Sequence, residues 1–507
     1  MTSSEPANKG LSHQVRSEVA MTSIYQGAGI AIDLAYMATL SRLLSPADFG
    51  VMATAILFLS FCNLLREIGL GATIVQLPSL TEVEQRTALT LVLISSAILF
   101  ILAQACAAPF ARFMNMPASE VVVRALSFII IVQAFTSISE GLLLRRLEMR
   151  RIRMSEIAAK TLAYGTTGIG LAFAGFGYWA LAAASICEAS FLALVLVYAA
   201  KPNLRPIFDS PSSRRLMGKG SGFTASRVIN FIALRADIAI VGRSLDAVHL
   251  GLYSRAYRLM SLPTDVYARM ADRVVFPAMA KVQSNPARLK KAYLRGVGLT
   301  ALFGMPMSAV IYILAPEIVL SLLGKQWGEV IPVFSFLAIG MYFRLASRVS
   351  GSLLRATAAI RALILSQAVY ACLTICGTLL VVGHGLSAVA TAVGLAIFVY
   401  FCVITAFACK VARVSLIELI IEHRYGMRVS AMVGIPCFVI AYVLRLENAH
   451  ASIILLCEIL YLGLFSLCFV YRMPINLIGN EGAEFSGHMR SAIRSMLRSG
   501  RNDPSSL

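Results

Sequence analysis

Apolar runs of about 20 residues recur along most of the chain, broken by short stretches of Gly, Pro and charged residues. A helix needs about 20 apolar residues to cross roughly 30 Å of hydrocarbon. By that rule the runs predict about fourteen spans, at 20–43, 50–75, 87–109, 121–143, 155–175, 178–200, 221–242, 251–277, 296–322, 329–354, 362–382, 386–408, 429–445 and 451–471. The runs are continuous and do not alternate, so they predict membrane helices and not the strands of a β-barrel. The expected fold class is an all-α, multi-pass integral membrane protein.

Charge orients these spans. With both termini cytoplasmic, the inside segments include 144–153 (LRRLEMRRIR), 201–219 and 281–295, which carry most of the loop Lys and Arg. The outside turns then hold only Arg42, Arg112, Arg243, Lys325 and Arg445. Cytoplasmic loops carry the excess of cations, so the pattern predicts an even number of spans with both ends inside. Outside connections such as SPADFG, GFGY and GHGLS are too short for an extracytoplasmic domain, which puts the work within the membrane. The stretch 201–220 has Pro and Ser clusters and reads as a cytoplasmic linker. The expected organisation is a tail at 1–19, a six-helix bundle at 20–200, this linker, a second six-helix bundle at 221–408, a cytoplasmic loop at 409–428, a helix pair at 429–472 and a tail at 473–507.

The two bundles share a motif. Arg42 to Gly50 and Arg243 to Gly251 both fit R-x-L-x5-G, 201 residues apart, each between the first and second helix of its half. Six helices per half is an even number, so the halves enter the membrane in the same orientation, as parallel repeats about an axis along the membrane normal.

Composition agrees with the membrane reading. Of the 507 residues, 58% are hydrophobic and only 14% charged, with a mean hydropathy of +0.76. Soluble domains carry about a quarter charged residues, so a soluble globule is excluded. The net charge of +19 would suggest nucleic acid in a soluble protein; here it serves orientation, and nucleic acid is not an expected partner. Ten cysteines lie in or at the ends of apolar segments without a CxxC pair and read as small core hydrophobes. The six histidines have no metal-ligand spacing, so neither a metal nor a cofactor is expected. The first twenty residues lack the apolar core of a signal peptide, so the first span is expected to act as the insertion signal. The tail carries no lipidation box.

Ionisable residues inside spans are costly, and by default they face a cavity or a partner. In the stretch 251–277, Arg255, Arg258, Asp265, Arg269, Asp272 and Arg273 fall within about a 100° arc, with Tyr253, Met260 and Tyr267 opposite. Such a helix either lies flat at the interface or spans with one wet face; the charge alternation downstream favours spanning. Other intramembrane cations are Arg66 beside Glu67, Arg227, Arg235 near Asp237, and Arg344 with Arg348 one turn on and Arg355 continuing that face. Asp33 lies in the first span. Arginines outnumber carboxylates, which suits an anionic substrate, and the guanidinium fork matches phosphate oxygens. The bland alternative is that Arg66–Glu67, Arg235–Asp237 and Asp265–Arg269 are structural ion pairs, while Arg273 and Arg355 snorkel. Glu188 and Glu458 read equally as protonated packing residues or as proton-coupling sites. The basic loop 144–153 reads as an orientation signal and headgroup contact.

The segments ADIAIVGRSLDAVHLGLYSRAYRLMSLP (236–263), RVVFPAMAKVQ (273–283), LLGKQWGEVIPVFSFLAIG (322–340) and LSRLLSPADFGVMA (40–53) resemble the polysaccharide-exporter branch of the MOP superfamily, which contains the Wzx-type flippases. The likeness runs from about residue 15 to 430. It implies two pseudo-symmetric six-helix bundles around a central cavity, two C-terminal helices, and alternating access of a lipid-linked oligosaccharide. Asn63-Leu64-Leu65-Arg66 with Gly71-Ala72 is also similar to the stretch where lipid II flippases carry a substrate-binding arginine, and only Arg66 is carried over.

On this resemblance the chain is expected to be a transporter without catalytic residues. It would move undecaprenyl-diphosphate-linked oligosaccharide across the bacterial inner membrane for exopolysaccharide, capsule or O-antigen assembly. Arg66, Arg235, Arg258, Arg344 and Arg348 are the candidate diphosphate-binding residues. No Walker motif is visible, so energy would come from an ion gradient or from downstream polymer synthesis. Asp33, Glu67, Asp237 and Asp265 are the candidate ion-coupling carboxylates. Expected partners are membrane lipid and the polysaccharide polymerase and chain-length or export proteins. The rival readings are a lipid II flippase, a drug/cation antiporter of the same superfamily, which would favour a carboxylate-rich cavity, and a membrane-embedded glycan polymerase or ligase, which would need a large periplasmic loop.

Overall fold

In the computed structural model the described residues are 25, 27–66, 81–217, 224–270 and 274–472, with 482, 486, 487 and 490 beyond them. Among these, every regular element is helical. Ten helices are long and apolar enough to cross a membrane: α2 (Pro46–Arg66), α3 (Glu82–Phe113), α4 (Ala118–Arg145), α6 (Tyr178–Ala200), α11 (Pro286–Ile313), α13 (Val330–Ala356), α14 (Ile360–Val381), α15 (Leu386–Ala412), α16 (Leu416–Leu446) and α17 (Ala451–Arg472). Four further helices, at 27–43 (α1), 149–173 (α5), Thr224–Ser244 (α8) and Ala247–Met270 (α9), carry more charge. Short helices are α7 (Ser210–Met217), α10 (Phe276–Val282) and α12 (Ala315–Leu322). Large apolar side chains such as Tyr198 and Leu380 stand exposed on the spans, as a hydrocarbon-facing surface requires. Cys62, Cys409 and Cys437 are buried as expected of core cysteines, but Cys106, Cys187, Cys372, Cys376, Cys402 and Cys468 are exposed. In lipid an exposed thiol on a span is solvated by acyl chains and needs no core.

The chain divides into two compact units, Met1–Ser254 and Arg255–Leu507. In the first, the two R-x-L-x5-G turns meet. A Cβ on Gly50 would lie 1.8 Å from the carbonyl oxygen of Ala247, and one on Gly251 would lie 1.8 Å from that of Pro46. Pro46 and Ala247 are themselves 201 residues apart, so the starts of α2 and α9 cross as a pseudo-twofold pair, each glycine against the partner's backbone. This close approach is the reason for glycine at the last position of the motif. Asp48 fixes the same corner. It accepts from the Ser45 backbone N–H (2.9 Å) and hydroxyl (2.6 Å), and from the Tyr178 N–H at the start of α6 (2.8 Å). Gly177, at φ +54°, leaves room for that carboxylate, where a Cβ would stand 2.7 Å from its oxygen.

The stretch after α6 is tied down along its length. Asn203 donates to Glu82, Arg86 donates to the Arg205 carbonyl, and Thr90 exchanges hydrogen bonds with both the N–H and the carbonyl of Ile207. Alternate residues of an extended strap thus dock on successive turns of α3, the periodicity-two side of a strand meeting i, i+4 of a helix. Arg215 of α7 then pairs with buried Glu84 at 2.7 Å. Glu84 also closes a capping box with Thr81.

In the second unit, α13 is buried over most of its length and packs on α11 and α15. α11 and α16 approach closely where a Cβ on Gly426 would meet the Ala301 carbonyl at 2.5 Å. α16 starts at Leu416, well before the expected 429, because Ser415 and Glu418 form a second capping box.

Candidate functional site

The arginines of α13 are one and two turns apart, so Arg344, Arg348 and Arg355 share a face of a span. The Arg344 guanidinium donates from Nη2 to the Tyr257 hydroxyl of α9 at 2.7 Å and sits 5.2 Å from that ring's centroid. Tyr400 of α15 lies in the combined field of Arg348, Arg355 and Arg344, with its ring 5.0 Å from Tyr370. Arg355, at the end of the face, reaches Ser352 at 3.2 Å and covers Phe276. Arg258 is exposed on α9, whereas Met260 and Tyr253 of the same helix are fully buried. Of the expected polar face Arg269 is also exposed, while Arg255 and Asp265 are half-buried like Tyr267 opposite. Asp272, Arg273 and the side chain of Arg227 lie outside the described residues.

Arg66 and Arg235 belong to the first unit. Arg66 ends α2 and donates to Asn63 (3.3 Å), the Gln133 carbonyl (3.4 Å) and side chain (3.1 Å), and Ser137 (2.8 Å) of α4. These neutral acceptors orient the guanidinium. Glu67 lies outside the described residues. Arg235 is half-buried on α8.

The carboxylates separate by environment. Asp237 is 2% exposed and accepts from the Tyr253 hydroxyl at 2.7 Å. Asp265 is half-buried and Arg269 exposed on α9. Asp33 of α1 holds Lys160 of α5 at 2.7 Å, and Glu188 of α6 lies 4.0 Å from the same ammonium. Next to Lys160 the helix opens into a π turn at Ala163–Gly168, where Tyr36 donates to the Thr161 carbonyl and Tyr164 meets Ser185. Such turns often mark functional positions in helices. Lys160 was not singled out by the sequence, although a lysine five residues before a Gly-Thr-Thr-Gly break was the available signal. Tyr257 was missed as well.

At the turn between α8 and α9, Asp246 caps α9. The His249 backbone N–H at 2.9 Å, with the imidazole at 2.7 Å, holds its carboxyl below the usual aspartate range. Among the described residues no group of three His, Cys, Asp or Glu is placed to hold a metal.

Arg66, Arg235, Arg344 and Arg348 are half-buried on their helices, and Arg258 and Arg355 are exposed. Solved structures agree on the fold: the lipid II flippase MurJ in an inward closed conformation aligns with a TM-score of 0.70 at 13% identity, covering 89% of this chain and 99% of that one. An inward-facing multidrug resistance MATE transporter aligns with a TM-score of 0.60 at 14% identity, covering 80% of this chain and 95% of that one. The fold is shared with these two transporters, the second of which is described as one of the MOP superfamily. A family model described as polysaccharide biosynthesis protein matches residues 39–332, more than half of the chain, and the chain belongs to that family. Relatives include the succinoglycan biosynthesis transport protein ExoT of Rhizobium meliloti (strain 1021), 26% identical over 59% of this chain and 60% of that protein. The teichuronic acid biosynthesis protein TuaB of Bacillus subtilis (strain 168) is 23% identical over 68% of this chain and 72% of its own length. The alignment thus spans less than two thirds of the succinoglycan protein's length.

Proposed function

We propose that this protein is a flippase that carries undecaprenyl-diphosphate-linked oligosaccharide repeat units from the cytoplasmic to the periplasmic leaflet of the bacterial inner membrane. About fourteen spans with both ends cytoplasmic would form two six-helix bundles that rock to alternate access. The diphosphate would be met by Arg66, Arg235, Arg258, Arg344 and Arg348, while the sugars occupy a hydrated cavity and the isoprenoid tail stays in lipid. The observation that carries the reading is the arginine face of α13, where the Arg344 guanidinium is oriented by the Tyr257 hydroxyl at 2.7 Å and Arg348 stands one turn on. Membership of a polysaccharide biosynthesis family, together with similarity to a succinoglycan biosynthesis transport protein, supports a sugar-bearing anion as cargo. Carboxylate-rich cavities suited to cationic drugs are the less fitting alternative.

The test is polymer export from cells in which the chain is replaced by Arg258→Ala or Arg344→Ala. Export should be abolished with protein levels unchanged. Wild-type export from both variants would overturn the reading.

A further inference from the structure

The helix pair α16–α17 holds a carboxyl that the arginine account does not use. Glu458 of α17 is 0% exposed, and both its oxygens are buried with no hydrogen-bond partner among the described residues. The groups around it come from two neighbouring helices and its own. Glu317, at the start of α12, and Arg445, near the end of α16, are close enough to interact with it electrostatically. The thiol of Cys437 and the backbone of Ala441, both on α16, lie against it. Tyr461, one turn along α17, is turned to the carbonyls of Met432 and Val433.

The one cation in this group is already committed. Arg445 grips Glu317 with a two-pronged contact, Nε and Nη2 each at 2.8 Å, and adds the Ile313 carbonyl at 2.8 Å. Glu317 is itself 3% exposed, so that pair balances charge for charge. Glu458 is then a second carboxyl near a neutralised guanidinium, with no cation of its own among the described residues. A bare carboxylate buried there would be an uncompensated charge in a low-dielectric site, which proteins avoid by keeping the proton on.

We propose that Glu458 is a proton-binding site. It carries a proton in the state described here, and on losing it draws the Arg445 fork away from Glu317. Two carboxyls sharing one guanidinium make a two-position switch, in which a proton on one acid frees the cation for the other. Placed on the terminal helix pair, the switch couples proton binding to the packing of α12 and α16 on α17. Its use as the coupling device of transport rests on the flippase reading; the proton site itself does not.

The two parts are tested separately. Infrared difference spectra of the purified full chain, wild type minus Glu458→Gln, should show at neutral pH the carbonyl band of a protonated carboxylic acid. Finding the carboxylate bands in its place would overturn the proton site. Glutamine mimics the protonated acid, so Glu458→Gln should fold with an unchanged melting temperature yet reduce polymer export by about tenfold or more, as a locked switch would. Wild-type export from a normally expressed Glu458→Gln protein would overturn the coupling role while leaving the infrared result standing. By the same switch Glu317→Gln, which frees Arg445 for Glu458, should weaken or remove that band; a band of undiminished strength in Glu317→Gln would overturn the sharing of the guanidinium.

Discussion

Replacing Gly251 by alanine puts the crossing of α2 and α9 to a quantitative test. The added Cβ would stand 1.8 Å from the Pro46 carbonyl oxygen, 2.7 Å from its carbon and 3.1 Å from the Gly50 nitrogen. A carbon and an oxygen rest at about 3.4 Å, so the two helix starts must separate by about 1.5 Å. The obstacle is backbone on both sides and cannot rotate away like a flexible side chain. Overpacking in a close-packed site costs about 1–3 kcal/mol, and this case belongs at or above the top of that range. Three kcal/mol is about a 150-fold change in an equilibrium between packed and separated starts. Gly50→Ala meets the Ala247 carbonyl at the same 1.8 Å and should cost as much. The double variant should cost clearly less than the sum, because one separation relieves both clashes. The assay is the melting temperature of the purified protein followed by tryptophan fluorescence, with polymer export measured in parallel. Gly463→Ala, where nothing lies within 4 Å, is the control and should be neutral or slightly stabilising. A Gly251→Ala protein with wild-type melting and export, or strictly additive costs in the double variant, would refute the crossing.

Other variants probe the polar groups. Tyr257→Phe removes the hydroxyl that braces Arg344 and should reduce export several-fold, with Arg344→Lys failing to restore it because an ammonium lacks the fork. Asp33→Asn leaves Lys160 without its 2.7 Å partner and should lower the melting temperature more than the double replacement Asp33→Asn with Lys160→Met, a coupling measured by a double-mutant cycle. Asp48→Ala frees the N–H groups of Ser45 and Tyr178 and should cost about 1–2 kcal/mol of stability, read from the same melting curves. Asp246 is held below its unfolded value by the His249 N–H, so its contribution is present above about pH 4 and lost as pH falls through the lowered folded value. The melting temperatures of wild type and Asp246→Asn should therefore converge in acid, and a gap that persists there would contradict the cap.

The positions of the helices were readable because apolar runs of membrane length have few alternative fates. The start of α16 was misplaced because Glu418, Glu422, Arg424 and Arg428 look like a polar loop, although the Ser415 to Glu418 spacing already spelled a capping box. The stretch 201–217 reads as a linker from its Pro and Ser content. It is a strap, since its partners on α3 lie more than a hundred residues away and several are backbone carbonyls that no composition reveals. The R-x-L-x5-G repeat was visible as a pattern, but its cause is a contact between Gly50 and Ala247 that only the folded chain brings about. Among the charged residues, sequence placed the arginines on helix faces and could not choose their partners. Arg344 turned to Tyr257, 87 residues away.

The central claim is movement of a lipid-linked oligosaccharide between leaflets, and the side of the membrane on which its sugars stand tests it most directly. In spheroplasts lacking this protein, the undecaprenyl-diphosphate-linked repeat units should be shielded from membrane-impermeant periodate. Restoring the wild-type chain should expose them, and restoring the Arg344→Ala chain should not. Equal exposure of the lipid-linked sugars with and without the protein would contradict the account.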